Sequence, residues 1–320
     1  MLVHFRLTVP ADLSDRVQRE LREREWTTNV TVQAGACVEP AGDLVECDVA
    51  REKAGVLLHR LEELGVDRNG GIVVLQPMST PFAEADRIQA LAPGHPDDAV
   101  IWEAVEAHAR DGATPTVSFH VFLLLAVIIA GVAVVTDSPI LVVGAMVVGP
   151  EFAAIAAASA GVVLRRRDIV LGSLRLLVLA FLFAVLATTV LALVARGLGA
   201  VDVEMITRAR PNTGFIWRPD LWSAVVALVA GAAGVLALAI EKTATMVGVF
   251  ISVTTVPAAG NLALGLAFTS SSEVLGSLAQ LGINIACMVV SGVAVLAVMR
   301  SAWPRITAAS ERLPGWSQFR

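Results

Sequence analysis

The sequence predicts an α-helical polytopic membrane domain that follows a soluble α+β domain. Three observations predict this fold class: 56% of the 320 residues are hydrophobic, only 17% are charged, and the charged residues are concentrated before Thr116. Soluble domains carry about a quarter charged residues, so the nearly uncharged runs after Thr116 indicate membrane spans. We expect a soluble domain over 1–77, a linker with an amphipathic helix over 78–116, a membrane domain over 117–300 and a cytoplasmic tail over 301–320.

The soluble segment predicts a ferredoxin-like β-α-β-β-α-β domain. Residues 2–9 alternate as a half-buried strand does, and an amphipathic helix follows them. Strand patterns over 30–38 and 44–50 flank the turn "EPAGD"; a second amphipathic helix and the strand "GGIVVLQP" complete the order. Two interpretations stay open: the domain binds a small regulatory ligand, or it serves only in assembly.

The stretch after this domain is predicted to connect it to the membrane. Residues 77–97 contain prolines and are expected to form a linker. "DDAVIWEAVEAHARD" then predicts a helix with Ile101, Val105 and His108 along one side. We expect this helix near the membrane surface, as a plain connector or in a gating role.

Six hydrophobic segments are each long enough to cross a hydrocarbon layer of about 30 Å as a helix. The expected spans are 118–136, 139–163, 169–195, 221–240, 244–268 and 274–299.

The distribution of Lys and Arg predicts that both termini are cytoplasmic, in a bacterial inner membrane. "RRR" at 165–167, Lys242 and Arg300 then all lie inside. The loop 196–220 conflicts with this orientation because it places four arginines outside.

A repeated pentapeptide indicates an internal duplication. "VLGSL" occurs at 170–174 and again at 274–278, an offset of 104 residues. The same offset aligns further identical residues, and it matches spans one to three with spans four to six. Three crossings are an odd number, so the second copy (about 221–299) must be inverted relative to the first (about 118–195). Inverted repeats are typical of secondary transporters, whose sites lie near mid-membrane at broken helices.

Two spans carry residues that break helices. Gly149, Pro150 and Glu151 lie at the centre of span two, and Pro257, Gly260 and Asn261 lie near the centre of span five. Proline removes a backbone donor, and the carbonyls that it frees need partners. Either a solute or ion binds there, or the helix is kinked but continuous and nearby hydroxyls bind the carbonyls.

Glu151 is the strongest candidate for a functional residue. A carboxylate near mid-bilayer costs about 3 kcal/mol on insertion scales, so it is rarely without a role. It suits proton coupling or cation binding. The alternatives are a structural pair, for which Arg175 is the candidate partner, and a carboxylate in an aqueous vestibule. Other polar residues that could line a path, or only bond between helices, are Thr254, Thr255, Asn261, Gln280 and Asn284.

Several functional classes are not expected. The net charge of −5 without a basic stripe argues against a nucleic-acid partner. The five histidines are scattered, which predicts no metal site, and Cys37, Cys47 and Cys287 are expected to be free thiols. No cofactor motif or hydrolase motif is present, so we do not expect an enzyme.

The segment "GAMVVGPEFAAIAAASAGVVLRRRDIVLGSLR" resembles a bacterial and archaeal membrane family known only as a conserved hydrophobic domain of unknown function. The shared features are Gly144-Ala145-Met146 followed by Pro150, a helix of small residues, a short charged loop and a span with Leu and Arg. The soluble first domain is also similar, so the resemblance covers roughly 1–300. It implies this architecture and no particular activity.

We therefore expect a transporter or channel for a small solute or ion, with a cytoplasmic domain that regulates or assembles it. The alternative is a membrane scaffold or ligand sensor that transports nothing. The expected partners are the lipid bilayer, a second copy of the chain in a homo-oligomer (a dimer), and a small ligand on the cytoplasmic domain.

Overall fold

The computed structural model describes residues 2–91, 100–240 and 253–301, and the chain divides into two compact units. The first unit is Met1–Glu103 with Ser301–Arg320, and the second is Ala104–Arg300. Three parts of the sequence predictions lie outside the described residues. They are residues 244–252 of the expected span five, residues 92–99 before the connecting helix, and the C-terminal tail after Ser301.

The first unit contains the predicted β-α-β-β-α-β order. Its elements are β1 (Leu2–Pro10), α1 (Ala11–Arg22), β2 (Thr27–Val38), β3 (Ala41–Ala50), α2 (Arg51–Glu63), a one-turn helix α3 (Val66–Asn69) and β4 (Gly71–Leu75). The sheet has the order β2-β3-β1-β4, and every neighbouring pair is antiparallel. Alternate residues of β1 are buried against α1, which is why the period-two pattern predicted this strand.

The expected linker includes a helix that the sequence analysis did not predict. Helix α4 (Ala83–Leu91) follows Phe82. Its buried residues Ala85 and Ile88 pack in one cluster with Leu2 and Ala50. This part of 77–97 therefore belongs to the first unit, because the apolar residues on one face of α4 outweigh the loop signal of the prolines beside it.

Helix α5 (Trp102–Gly112) forms where the sequence predicted it, but its buried face differs slightly. Val105 and Ala109 are buried, whereas His108 is exposed. Residues four apart lie in one stripe on a helix, and His108 lies at the rim of that stripe. Within the second unit, Glu106 accepts hydrogen bonds from Arg110 and Arg166. Burial raises the pKa of the Glu106 carboxyl, but these arginine contacts outweigh it and lower the pKa overall.

The second unit is entirely helical in its described part. Its elements are α6 (Val117–Val135), α7 (Pro139–Val148), α8 (Glu151–Val163), α9 (Arg167–Gly197), α10 (Val203–Thr207), a 3₁₀ helix (Gly214–Trp217), α11 (Leu221–Ala239), α12 (Thr255–Ala267) and α13 (Ser271–Ser301).

Several of these helices can cross a membrane. Among the described residues, α6, α9, α11 and α13 are long and apolar enough to do so alone. Helices α7 and α8 make a fifth candidate as a bent pair, and α12 is a shorter apolar helix. Large apolar side chains on α9, such as Leu171, Val178 and Leu182, are exposed. Such surface is typical of a protein that contacts lipid, so the chain has the character of a membrane protein.

The helices of the second unit have matching bounds. Helices α11, α12 and α13 begin and end 104 residues after α6, α8 and α9, respectively. The turns before α9 and α13 also match: Arg165 and Thr269 have left-handed backbones with φ of 58° and 57°. The N-caps match as well, since Thr116 and Asp220 each accept a hydrogen bond from a backbone N–H three residues later.

Contacts between the two sets of helices occur in exchanged pairs. The Arg196 guanidinium donates to the carbonyl of Ala267 (3.1 Å), and the Arg300 guanidinium donates to the carbonyl of Val163 (2.8 Å). Arg300 is 104 residues after Arg196, and Ala267 is 104 residues after Val163. Helix α9 starts beside Val163 and ends near Arg196. Its 31 residues extend about 46 Å, so Val163 and Ala267 lie at opposite ends of it.

Candidate functional site

The site is built around a break between α7 and α8. Helix α7 ends at Val148, Gly149 is extended with ψ of 128°, Pro150 precedes the next helix, and α8 begins at Glu151. The two helices are bent by 52°. The predicted break of span two is therefore confirmed, and its cause is Pro150, because proline ends the preceding helix while it is tolerated at the start of a new one.

Glu151 is buried at this break and only half satisfied. Glu151 is only 7% exposed, and its Oε1 accepts a hydrogen bond of 2.6 Å from the Thr255 hydroxyl. Its Oε2 has no hydrogen-bond partner among the described residues. A buried acceptor without a partner carries the desolvation cost of about 1–3 kcal/mol, and more when it is charged. Within the described part of the chain, the second oxygen therefore has an unused acceptor position.

The start of α12 faces the start of α8. Thr255 is the first residue of α12, and Val256 lies beside Gly149, where an added Cβ would come within 2.7 Å of the Val256 methyl group. An added Cβ at Gly149 would also collide with Glu151 Oε2. Helix N-termini carry partial positive charge, so the starts of α8 and α12 both stabilise an ionised carboxylate at this position.

The predicted break at Pro257, Gly260 and Asn261 is wrong. Helix α12 runs without interruption from Thr255 to Ala267 and contains all three residues. Pro257 lies in the first turn, where its missing N–H would have had no helical partner. Gly260 instead packs against Ala130 and Gly131 of α6. The helix end that faces Glu151 is thus at Thr255, two residues before the predicted proline.

Arg175 is not the partner of Glu151. It is exposed on α9, and no described salt bridge involves Glu151. The sequence suggested Arg175 as a partner from its place one turn into span three, but this position lies on the exposed side of α9. The alternative of a structural ion pair at Glu151 therefore loses its candidate cation.

Thr254, Gln280 and Asn284 form a second polar group next to the site. The side-chain amides of Gln280 and Asn284 each donate to the Thr254 hydroxyl, both at 2.9 Å. Gln280 Oε1 is buried and has no hydrogen-bond partner among the described residues. Thr254 precedes Thr255 in the chain, so this group lies directly beside the residue that binds Glu151.

Asn261 belongs to a different cluster, which the sequence analysis missed. It accepts from Arg210 (2.9 Å) and donates to Glu273 (2.8 Å) and Ser277 (2.9 Å), and Arg210 forms an ion pair with Glu273. All four residues are buried. Their polar groups satisfy one another, which is typical of a structural cluster rather than a binding site. Arg210 lies in a loop without periodicity, so no sequence signal indicated its burial.

A cavity of about 270 Å³ lies beside the polar group formed by Thr254, Gln280 and Asn284. Its lining includes residues of the first turns of α11 together with Thr254 and Asn284. The lining residues are Phe215, Asp220, Trp222, Ser223, Val226, Ala227, Val253, Thr254 and Asn284.

Comparison with known proteins adds a family and no activity. Residues 146–290 match the model of a family described as a domain of unknown function (DUF389). The match includes the break, Glu151 and α12, and it agrees with the resemblance drawn from the sequence. No curated protein and no solved structure matches the chain. Function therefore has to be argued from the site itself.

Proposed function

We propose that this protein is a transporter or channel for a small ion or solute, in which Glu151 binds the coupling cation or proton. The observation that carries the proposal is the buried Glu151 carboxyl, whose Oε2 has no described partner, between the starts of two helices. The first unit would regulate or assemble the protein, which we expect to be a homodimer in the bacterial inner membrane.

The proposal includes two inverted copies of three spans each. The matching bounds of α6, α8 and α9 with α11, α12 and α13 support a duplication. The exchanged pairs of Arg196 with Ala267 and Arg300 with Val163 support a two-fold relation, because a two-fold axis exchanges partners in this way. Since equivalent residues lie at opposite ends of α9, the copies would be inverted, and α7–α8 and the segment ending in α12 would complete six spans.

The two-fold relation gives Glu151 and Thr255 a special place. They are 104 residues apart and in direct contact, so each is bonded to its own equivalent. A residue that contacts its equivalent lies on the axis. An axis that relates inverted copies lies in the membrane plane, so Glu151 would be at mid-depth. Substrate and ion sites of transporters with inverted repeats lie at this level.

The chemistry of the site suits a proton or a hard cation. Carboxylate and hydroxyl oxygens are the ligands that hard cations prefer, and a desolvated carboxyl exchanges a proton readily. Thr255 donates to the Glu151 carboxyl, Gly149 and Val256 lie at the same break, and none of these three residues is charged. One group then sets the charge of the site, and flux through it would depend on pH.

A second candidate function, a ligand sensor, has one observation in its favour. The first unit has an open groove of about 630 Å³ along α2 and the start of α5. Glu52, His59, Arg60, Glu63 and Trp102 are among its lining residues. Such a groove has room for a small polar ligand, which would serve regulation in a transporter and be the main function in a sensor.

Glu151→Gln tests the proposed function. In proteoliposomes we expect it to reduce flux driven by a proton or cation gradient at least tenfold, and to remove the pH dependence of what remains, because the amide cannot titrate. The matched control is Glu204→Gln, which makes the same change at an exposed residue. Equal melting temperatures would show that both variants fold. Unchanged flux with unchanged pH dependence would contradict the role of Glu151, and no flux in the wild type would favour the sensor.

The inverted arrangement also predicts the sidedness of two exposed residues. In a variant without native cysteines, Ser271→Cys should react with an impermeant thiol reagent from outside the cell, whereas Asp168→Cys should react only after the membrane is opened. Both side chains are exposed, so burial does not limit the reaction. Thr213, in the loop 196–220 that is expected on the same outer side, is buried and bonded to Asp137, which makes it unsuitable. Labelling of both positions from one side would contradict the inversion.

A further inference from the structure

We propose that a small monovalent cation reaches Glu151 from one end of the second unit only, through the cavity beside α11, and that Thr254, Gln280 and Asn284 bind it on the way. This inference rests on the proposed function and adds the route, the intermediate ligands and the charge of the cargo to it.

The cavity lining favours a cation. It contains the carboxylate of Asp220 and the aromatic rings of Phe215 and Trp222, and no Lys, Arg or His is among the described residues that line it. The backbone N–H and the hydroxyl of Ser223 donate to Asp220, which lowers the pKa of that carboxyl and keeps it ionised at neutral pH. Aromatic faces also attract cations. Among the described residues that line the cavity, Asp220 carries the only charge.

Two lining residues connect the cavity with the surroundings of Glu151. Thr254 and Asn284 line the cavity, and the Gln280 amide donates to the Thr254 hydroxyl. Adjacent Cα atoms are about 3.8 Å apart, so Thr254 places this group one residue from the Thr255 hydroxyl that binds Glu151. Two buried acceptors, Gln280 Oε1 and Glu151 Oε2, are without partners in the described part of the chain. A bound cation would satisfy such acceptors, as would a water molecule that donates two hydrogen bonds, and the negatively charged lining favours the cation.

The other half of the unit lacks these ligands. The positions 104 residues before Thr254, Gln280 and Asn284 are Pro150, Leu176 and Ala180, which have no polar side-chain group. Leu123, the equivalent of the cavity residue Ala227, is fully buried. The equivalents of the three ligands are therefore apolar, whereas the equivalents of the lining residues Phe215, Asp220 and Trp222 are Asp111, Thr116 and Ser118. The asymmetry between the two copies thus lies in the ligands next to Glu151.

Reactivity of matched cysteines tests the route. In a variant without native cysteines, reconstituted in nanodiscs with both faces accessible, Ala227→Cys should react with a cationic methanethiosulfonate at least tenfold faster than with an anionic reagent of similar size. Leu123→Cys should react slowly with both. Similar rates at the two positions, or faster reaction with the anionic reagent, would overturn the proposal. The readout is the labelling rate, so it does not depend on whether Glu151 supports flux.

Exchange of the ligands for their equivalents tests the binding role. Gln280→Leu and Asn284→Ala introduce the residues that the first copy has at the equivalent positions. The fold therefore already accommodates these side chains in the first copy. A hydrogen bond to a charged group corresponds to about tenfold or more in affinity, and we expect each variant to raise the half-saturating concentration of Na⁺ or NH₄⁺, or to shift the pH midpoint of proton flux, by that factor. The three gradients, applied separately, identify the cation. Unchanged half-saturation in folded variants, for every cation that the wild type carries, would overturn the role of these residues while leaving that of Glu151 intact.

Discussion

Replacing Arg210 with methionine is expected to lower the free energy of unfolding by about 3–5 kcal/mol, the cost of breaking a buried ion pair from one side. Arg210 is 7% exposed, pairs with Glu273 and donates to Asn261 at 2.9 Å. Without the guanidinium, Glu273 is left buried and charged with only the Asn261 amide as a donor. Thermal or chemical denaturation in detergent would measure the loss.

The control is Arg208→Met, which removes an exposed guanidinium that donates to the carbonyl of Val135. We expect it to cost less than about 1 kcal/mol, because exposed polar contacts contribute little. The double variant Arg210→Met/Glu273→Met should recover much of the loss, since it leaves no unpaired charge. An Arg210→Met variant as stable as the wild type would show that the cluster is not structural.

Gly260→Ala is expected to cost about 1–3 kcal/mol, because it overpacks the contact between α12 and α6. An added Cβ would lie 2.6 Å from the Ala130 methyl group and 2.8 Å from the backbone nitrogen of Gly131. Backbone atoms of α6 cannot rotate away as a side chain does, so α12 must shift. Because α12 begins at Thr255, the shift would also disturb the contact with Glu151. The expected result is a lower melting temperature together with reduced flux.

Gly282→Ala is the matched control. Gly282 also lies inside a helix, α13, but an added Cβ there would meet no atom within 4 Å. Alanine is the better helix former by about 1 kcal/mol, so this variant should be as stable as the wild type or more stable. If both glycine variants lost stability equally, helix packing at Gly260 would not be the cause.

The parts of the fold that follow from local patterns were predictable. The period-two alternation of residues 2–9 and the turn "EPAGD" predicted the strands of the first unit, and both are present. Pro150 after Gly149 predicted the break of span two, since proline restricts the chain wherever it occurs. The place of Glu151 near the centre of an apolar span suggested its burial, but position in a span does not decide burial by itself, since Arg175 also lies in an apolar span and is exposed.

The parts that depend on which helix faces meet were not predictable from local patterns. Asn261 was grouped with Asn284 by residue type, but it faces Arg210, which lies in an irregular loop. Arg175 was considered as a partner of Glu151 because it lies one turn into span three, although its side chain is exposed on α9. One signal was present and not used: the offset of 104 residues aligns Glu151 with Thr255, and these two residues are in contact.

That contact allows the most direct test of the account, which is to exchange the two residues and measure gradient-driven flux in proteoliposomes. Glu151→Thr alone should lose the flux, because it removes the carboxylate. The double variant Glu151→Thr/Thr255→Glu moves the carboxylate to the equivalent position on the proposed axis, bonded to a threonine as before, and should regain at least a tenth of the wild-type flux with its pH dependence. A double variant that folds as well as the single variant but remains equally inactive, or a Glu151→Thr variant that transports normally, would contradict the claim.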